Sequence, residues 1–367
     1  MIHTKKALAT AAITAIAALS FTACSTGSEN NPNPDNDKAV INMQFSSYLG
    51  PTTPMGKGIS WFISEVESRS NGAIKIEAFW EGALLAGPDT LNGVSTGLAD
   101  IGYMTTSYNP AELPLTQSLS VPFVTDNVPA IQETLWNLYQ NYEPYQEEWN
   151  KNNVEVLTFM GVPPSVVATK DEVPNYDSLK GRTLRATGYT AAALQIAGAN
   201  AITLPVSDVY ESIQRGLIEG YSSMILDTIP SLSLQEVAPI ITDTGLGIYT
   251  LNTFIMNADT YNALSDGHKK IFAEVSADYQ KKFLEILAGV EDEACTIVLE
   301  AGGAIHTWPA SETQKWKVAV GDELLNKWKD DARGRGVDPD GFYGQFIEKL
   351  QSSSTAYESG LSRCAAR

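Results

Sequence analysis

The sequence predicts a mixed α/β protein of two related lobes with a long helix laid across both. Three observations carry this expectation: a strand–helix–strand pattern at the head of the body, one short motif that occurs twice, and a long amphipathic run around residue 280. With 367 residues, 43% of them hydrophobic, the chain can bury two ordinary cores. Its 43 acidic and 25 basic side chains give a net charge of -18, a field that repels phosphates and argues against a nucleic-acid partner. Three cysteines and three histidines are too few for a disulfide scaffold or a multi-histidine metal centre, and no cofactor is expected.

The elements follow in order. Val40 to Phe45 alternates as a strand does, and Pro54 to Ser70 sets Ile59, Phe62, Ile63 and Val66 on one helical face. Asn71-Gly72 ends that helix and Ala73 to Phe79 alternates again, giving a βαβ unit with parallel pairing. Then comes the repeated motif. Asp89 precedes Gly97-Leu98-Ala99-Asp100 and an apolar stretch to Met104; Asp208 precedes Gly216-Leu217-Ile218-Glu219 and a like stretch to Met224. In both copies the aspartate suits a first helical turn, the glycine a left-handed end, and a strand follows. The long run starts at Ser265, a good N-cap, and carries Phe272, Val275, Tyr279, Phe283, Leu287 and Ala294 at helical spacing up to Gly302-Gly303. At 1.5 Å per residue that helix extends about 54 Å, against ~30 Å for a small domain. Ser311 to Ser354 adds further helical patterns around Trp316, Trp328 and Phe346.

The first residues are read as an address. Residues 1–23 form an export signal, with His3, Lys5 and Lys6 ahead of an apolar run from Ala7 to Ser20 that is too short for a membrane span. Phe21-Thr22-Ala23-Cys24 resembles a bacterial lipobox, which makes Cys24 the candidate for lipidation and, with it, anchoring of an exported body at the periplasmic or cell surface. Residues 24–38, rich in Asn, Pro, Ser and Asp, read as a flexible tether. In an oxidising compartment Cys295 and Cys364 can pair, tying the tail to the long helix; two free thiols are the alternative.

Ligands of open α/β sheets collect beyond the carboxyl ends of strands. Thr183-Leu184-Arg185 is a short strand between two turns, and Arg185 sits where it runs out. There a guanidinium can offer a planar fork to a carboxylate through two charge-assisted hydrogen bonds.

The run from Leu179 to Met224 resembles the substrate-binding subunit of TRAP (tripartite ATP-independent periplasmic) transporters, the dicarboxylate-binding-protein-like family. The matching pieces are Leu179-Lys180-Gly181-Arg182-Thr183-Leu184-Arg185, Ala197-Gly198-Ala199 and Val209 to Gly220, joined in the first lobe by Phe62 to Val66, Asn71-Gly72, Gly82-Ala83-Leu84 and Pro122-Phe123. The resemblance implies a two-lobed periplasmic-binding-protein (Venus-flytrap) architecture with crossing strands and a lobe-spanning helix. The expected division gives residues 39–161 and 250–290 to lobe I, and 162–249 and 291–367, with the C-terminal helices, to lobe II. Arg185 matches the arginine that holds the substrate carboxylate in that family. The partners implied are a small organic acid and integral-membrane transporter subunits, with membrane contact only through the lipid anchor.

Departures from the family bear on the ligand. Where many members carry a second basic residue this chain has Gly161 to Ser165, and where many carry asparagine it has Ser223. One firm cation favours a monocarboxylate over a dicarboxylate. Candidate ligand-binding residues beside Arg185 are Ser47, Tyr48, Trp80, Thr105, Tyr108, Tyr221 and Ser223, with Ser46, Thr106, Tyr103 and Tyr249 near them. No catalytic residue is expected: no Gly-x-Ser-x-Gly elbow is present, His268 reads as solvated in a first helical turn, and Glu291 and Glu293 read as a solvated face. An exported hydrolase is thus disfavoured, whereas a receptor feeding a signalling system would share the same capture step.

Overall fold

The computed structural model describes residues 40–367; the signal segment, Cys24 and the tether lie outside the described residues. The strands are β1 (Ile41–Ser46), β2 (Ile74–Phe79), β3 (Ile101–Thr105), β4 (Val154–Gly161), β5 (Val167–Thr169), β6 (Thr183–Arg185), β7 (Asn200–Ile202), β8 (Gly220–Tyr221), β9 (Ile240–Asp243), β10 (Leu251–Asn257) and β11 (Ala304–Thr307). They form two sheets, ordered β2-β1-β3-β10-β4 and β11-β9-β5-β8-β6-β7. This is the two-sheet α/β arrangement that two related lobes would give.

In the first sheet β1 and β2 pair in parallel around the helix Pro54–Arg69, as the alternation of their residues requires. Thr53 caps that helix by accepting from the Gly56 N–H, and Ile59, Phe62 and Val66 bury its inner face. β10 follows β5 to β9 of the second sheet in sequence yet inserts between β3 and β4, antiparallel to both. The chain therefore crosses between sheets at residues 162–166 and again at 244–250. The two crossings are bonded together, Ser165 N–H donating to the Gly247 carbonyl at 2.9 Å. Gly247 has φ of +84°, and a Cβ there would stand 2.5 Å from the Thr125 carbonyl oxygen, so only glycine fits.

The repeated motif occupies equivalent joints in the two sheets. Gly97 and Gly216 end their helices at φ of +77° and +73°. Asp100 then accepts from the Gln44 N–H, and Glu219 accepts from the Thr183 N–H, each carboxylate fastening the start of its strand to the neighbouring one. A β-branched or apolar residue at either place would leave that N–H unmet.

The long helix spans Asp266–Glu300, 35 residues, with Ser265 capping it through the His268 N–H. It packs on the helix Pro54–Arg69 and on β4, and further along on β11 and the helix Gly360–Ala365. Cys295 and Cys364 form a disulfide, Cα–Cα 5.7 Å, that fixes this last helix to the long one. Two expectations fail here. His268 is buried rather than solvated, and Glu291 is 0% exposed, packed under the Gly360–Ala365 helix where Arg363 reaches it at 3.4 Å. For Glu291 the cause is the tail, whose last helix covers a face that would otherwise be wet.

The tail itself departs from the expected division. The helix Pro339–Ser352 packs on the helix Val128–Asn141, which covers β4 of the first sheet, with Phe342 5.1 Å from Tyr145 between ring centres. Asn127 Nδ2 also donates to the Thr355 carbonyl at 2.8 Å. Aromatic residues on Pro339–Ser352 seek the larger apolar surface, which lies on the first sheet's side. Among the described residues no helix is long and apolar enough to cross a membrane.

Candidate functional site

A cavity of about 940 Å³ is lined from both sheets, by Tyr48, Thr105 and Tyr108 of the first and by Arg185, Thr187 and Ser223 of the second. Each arrives there for a local reason. Arg185 is the last residue of β6, in register with Tyr221 on β8. Just beyond β8 the chain turns at Ser223, whose φ of +56° is left-handed and turns its carbonyl toward the guanidinium. Ser223 Oγ accepts from the Thr187 N–H at 3.1 Å, and its own N–H donates to Ser165 Oγ at 3.0 Å, so the strained residue is held on three sides.

Arg185 is 7% exposed as a whole residue. Its Nε donates to the Leu204 carbonyl at 3.2 Å, and Nη1 donates to the carbonyls of Ser222 and Ser223 at 3.3 and 3.2 Å. Nη2 alone makes no protein hydrogen bond among the described residues, and no carboxylate there lies within ion-pair distance. Burial lowers the arginine's pKa, with Tyr249 and Tyr108 acting in the opposite sense. It remains a cation, oriented by three carbonyls, with one nitrogen left over for a ligand. The full two-nitrogen fork expected from sequence is not on offer, because backbone oxygens already hold most of it.

Across the cavity a hydrogen-bonded chain runs from the Tyr48 hydroxyl to Thr105 Oγ1, 2.5 Å, and from there to Asn252 Oδ1, 2.7 Å. Thr105 has one proton and donates it to Asn252, so Tyr48 is the donor to Thr105. This arrangement commits the Asn252 amide oxygen and, among the described residues, leaves the amide nitrogen of this cavity-lining residue without a side-chain hydrogen bond. Rings of Tyr103 and Tyr108 lie 5.4 and 6.0 Å from that of Tyr48, forming an aromatic wall. Burial raises the pKa of Tyr48, Tyr103 and Tyr249, keeping all three as neutral phenols.

Arg185, Tyr48, Thr105, Tyr108 and Ser223 are thus brought together, as are Tyr103 and Tyr249. Ser47, Trp80 and Tyr221 do not line the cavity. Ser47 Oγ accepts from the Leu49 N–H and shapes the turn; Trp80 packs against the first core; Tyr221 is buried in the second apolar cluster with Ala168 and Ile241. Sequence reasoning also missed Asn252, Thr187 and Asp227. Asn252 had a signal, a polar residue early in the otherwise apolar β10; Asp227 had one too, a lone acid inside Met224 to Pro230. Among the described residues no group of His, Cys, Asp and Glu is arranged to hold a metal ion.

Residues 45–330 match the family described as bacterial extracellular solute-binding protein, family 7. The chain belongs to that family. As a solute-binding protein of this kind it is similar to a TRAP periplasmic solute-binding protein from Desulfovibrio salexigens, with TM-score 0.77 and 25% identity over 87% of this chain and 98% of that one. It also shares its fold with a marine metagenome TRAP solute-binding protein specific for aromatic acid ligands, TM-score 0.77, 24% identical, covering 87% and 100%. Among relatives compared by sequence, the monocarboxylate 2-oxoacid-binding periplasmic protein of Nostoc sp. is 26% identical, over 68% of this chain and 71% of its own length. The ectoine-binding periplasmic protein TeaA of Halomonas elongata is 22% identical, over 69% and 74%.

Proposed function

We propose that this solute-binding protein captures a small organic acid through one carboxylate and delivers it to the membrane subunits of a TRAP transporter. The observation that carries the reading is the buried Arg185, which lines the cavity held by carbonyls alone, with Nη2 unbonded and no carboxylate among the described residues within ion-pair distance. An uncompensated buried cation is costly, and a ligand anion offsets that cost. The names of relatives support an organic acid, since 2-oxoacids and aromatic acids are ligands there. Among the described residues the other lining cations, Lys327 and Arg335, are exposed, which favours one carboxylate over two.

Capture needs no bond making. A ligand that touches Arg185 on one sheet and the Tyr48–Thr105–Asn252 chain on the other binds a closed form better than an open one, and shifts the population toward it. Closure also excludes water and strengthens the arginine contact. Cys24 is the proposed lipid attachment that keeps the protein near its membrane partner. The test is thermal melting with a panel of small monocarboxylates. A ligand at 100 times its Kd stabilises the fold by about 2.7 kcal/mol, and Arg185→Ala is expected to abolish the rise while leaving the ligand-free protein folded. An equal rise in the variant would overturn the assignment.

A further inference from the structure

A second charge, partly withdrawn from solvent, belongs to the same cavity. Asp227 lines it together with Arg185, Ser223 and Tyr249, immediately before the short helix Thr228–Ser231. The only side-chain partner its carboxylate finds is the Thr228 hydroxyl at 3.5 Å, and no basic group among the described residues offsets it. Burial pushes this carboxyl up to about 6 against the opposing pull of the Thr228 N–H, its own N–H and the Thr228 hydroxyl, so at pH 7.5 the group is still mostly ionised, with no cation beside it among the described residues. Arg185, for its part, gives three donors to carbonyls and none to an acid. One cavity therefore holds two opposite charges that do not neutralise each other. The other charged residues along it, Lys327, Asp331 and Arg335, are exposed, and Lys327 already pairs with Asp331 at 3.2 Å.

Two uncompensated charges in a partly desolvated space both call for a partner, and one molecule can serve both. We propose that the ligand is a zwitterion, with its carboxylate on Arg185 and a protonated nitrogen on Asp227. Such a molecule is neutral overall, so the net charge of -18 does not repel it as it would an anion. A dianion fits worst, because its second carboxylate would face Asp227. The proposal rests on the reading of the cavity as a carboxylate site and narrows it to one ligand class.

The experiment is calorimetric titration of the wild-type protein at pH 7.5 with matched pairs: 4-(aminomethyl)benzoate against 4-methylbenzoate, and 5-aminovalerate against hexanoate. The amino acid of at least one pair is expected to bind about tenfold more tightly or better, as one buried charge pair would give. In Asp227→Asn that advantage is expected to vanish. If the simple carboxylate is the equal or better ligand in every pair, the zwitterion proposal fails and the carboxylate reading stands. If no member of either pair binds, both fail. An advantage that persists in Asp227→Asn also overturns the proposal. Should that variant not fold, Asp227→Ser replaces it, and the wild-type pairs decide in any case.

Discussion

Arg185 illustrates what a single residue does when its neighbours are fixed. Leu204, Ser222 and Ser223 hold the guanidinium plane by backbone carbonyls, so orientation does not depend on any side chain that a ligand would have to displace. Lysine could not meet carbonyls on several sides and still present a donor, having one nitrogen on a flexible stem. Arg185→Lys is therefore expected to keep the charge yet weaken carboxylate binding by about 10- to 100-fold, measured by calorimetric titration. Retained affinity would mean that charge alone matters there. The arginine was legible as a cation ending a short strand, but its carbonyl cradle was not, because those oxygens come from residues far along the chain. Tyr221 shows the converse error. It lies in register with Arg185 on the next strand, yet packs into a core, and nothing in local sequence tells those fates apart.

At the scale of elements, the tail decides more than its position at the end suggests. The helix Gly360–Ala365 is bonded to the long helix through Cys295–Cys364, and it seals Glu291 inside. Closing a loop with a sequence separation of 69 residues restricts the unfolded chain, so Cys295→Ala with Cys364→Ala is expected to cost about 2–5 kcal/mol. Denaturant unfolding under oxidising conditions measures it; an unchanged midpoint would show that packing alone holds the tail. The helix Glu323–Arg333 is anchored differently, by Trp328, which is 1% exposed and donates from Nε1 to the Pro114 carbonyl at 2.8 Å. Trp328→Ala is expected to destabilise by about 3–5 kcal/mol and to loosen one wall of the cavity, read as a lower melting temperature together with weaker ligand binding. The helical spacing of the tail was plain in the sequence. Its landing place was not, since periodicity names an apolar face but not the surface that receives it.

For the whole molecule, buried carboxyls set the response to pH. Burial pushes Glu148 up to about 7, although the N–H groups of Leu115 and Thr116 and the Thr116 hydroxyl pull it the other way. Burial does the same to Glu291, also to about 7, and Asp227 reaches about 6. Each holds its proton more tightly folded than unfolded, where glutamate titrates near ~4.3 and aspartate near ~3.9. Between those values and about 7 the folded state binds more protons, so this contribution to stability falls as pH rises through the window. Melting temperatures recorded from pH 5 to pH 8 are expected to decline along that range, and Glu291→Gln is expected to flatten the slope. A slope of the opposite sign in the wild type, unchanged in the variant, would show that other groups govern it.

The order of strands and helices, the twin joints at Gly97 and Gly216, the cap at Ser265 and the place of Arg185 at the end of a short strand were all determined by the sequence, because each depends on residues within a few positions of one another. Which residues share the cavity, Asp227 among them, where the tail settles, and that Glu291 is withdrawn from water were decided only by the tertiary structure. Burial and proximity arise when segments distant in the chain meet, and no local pattern encodes which of them will.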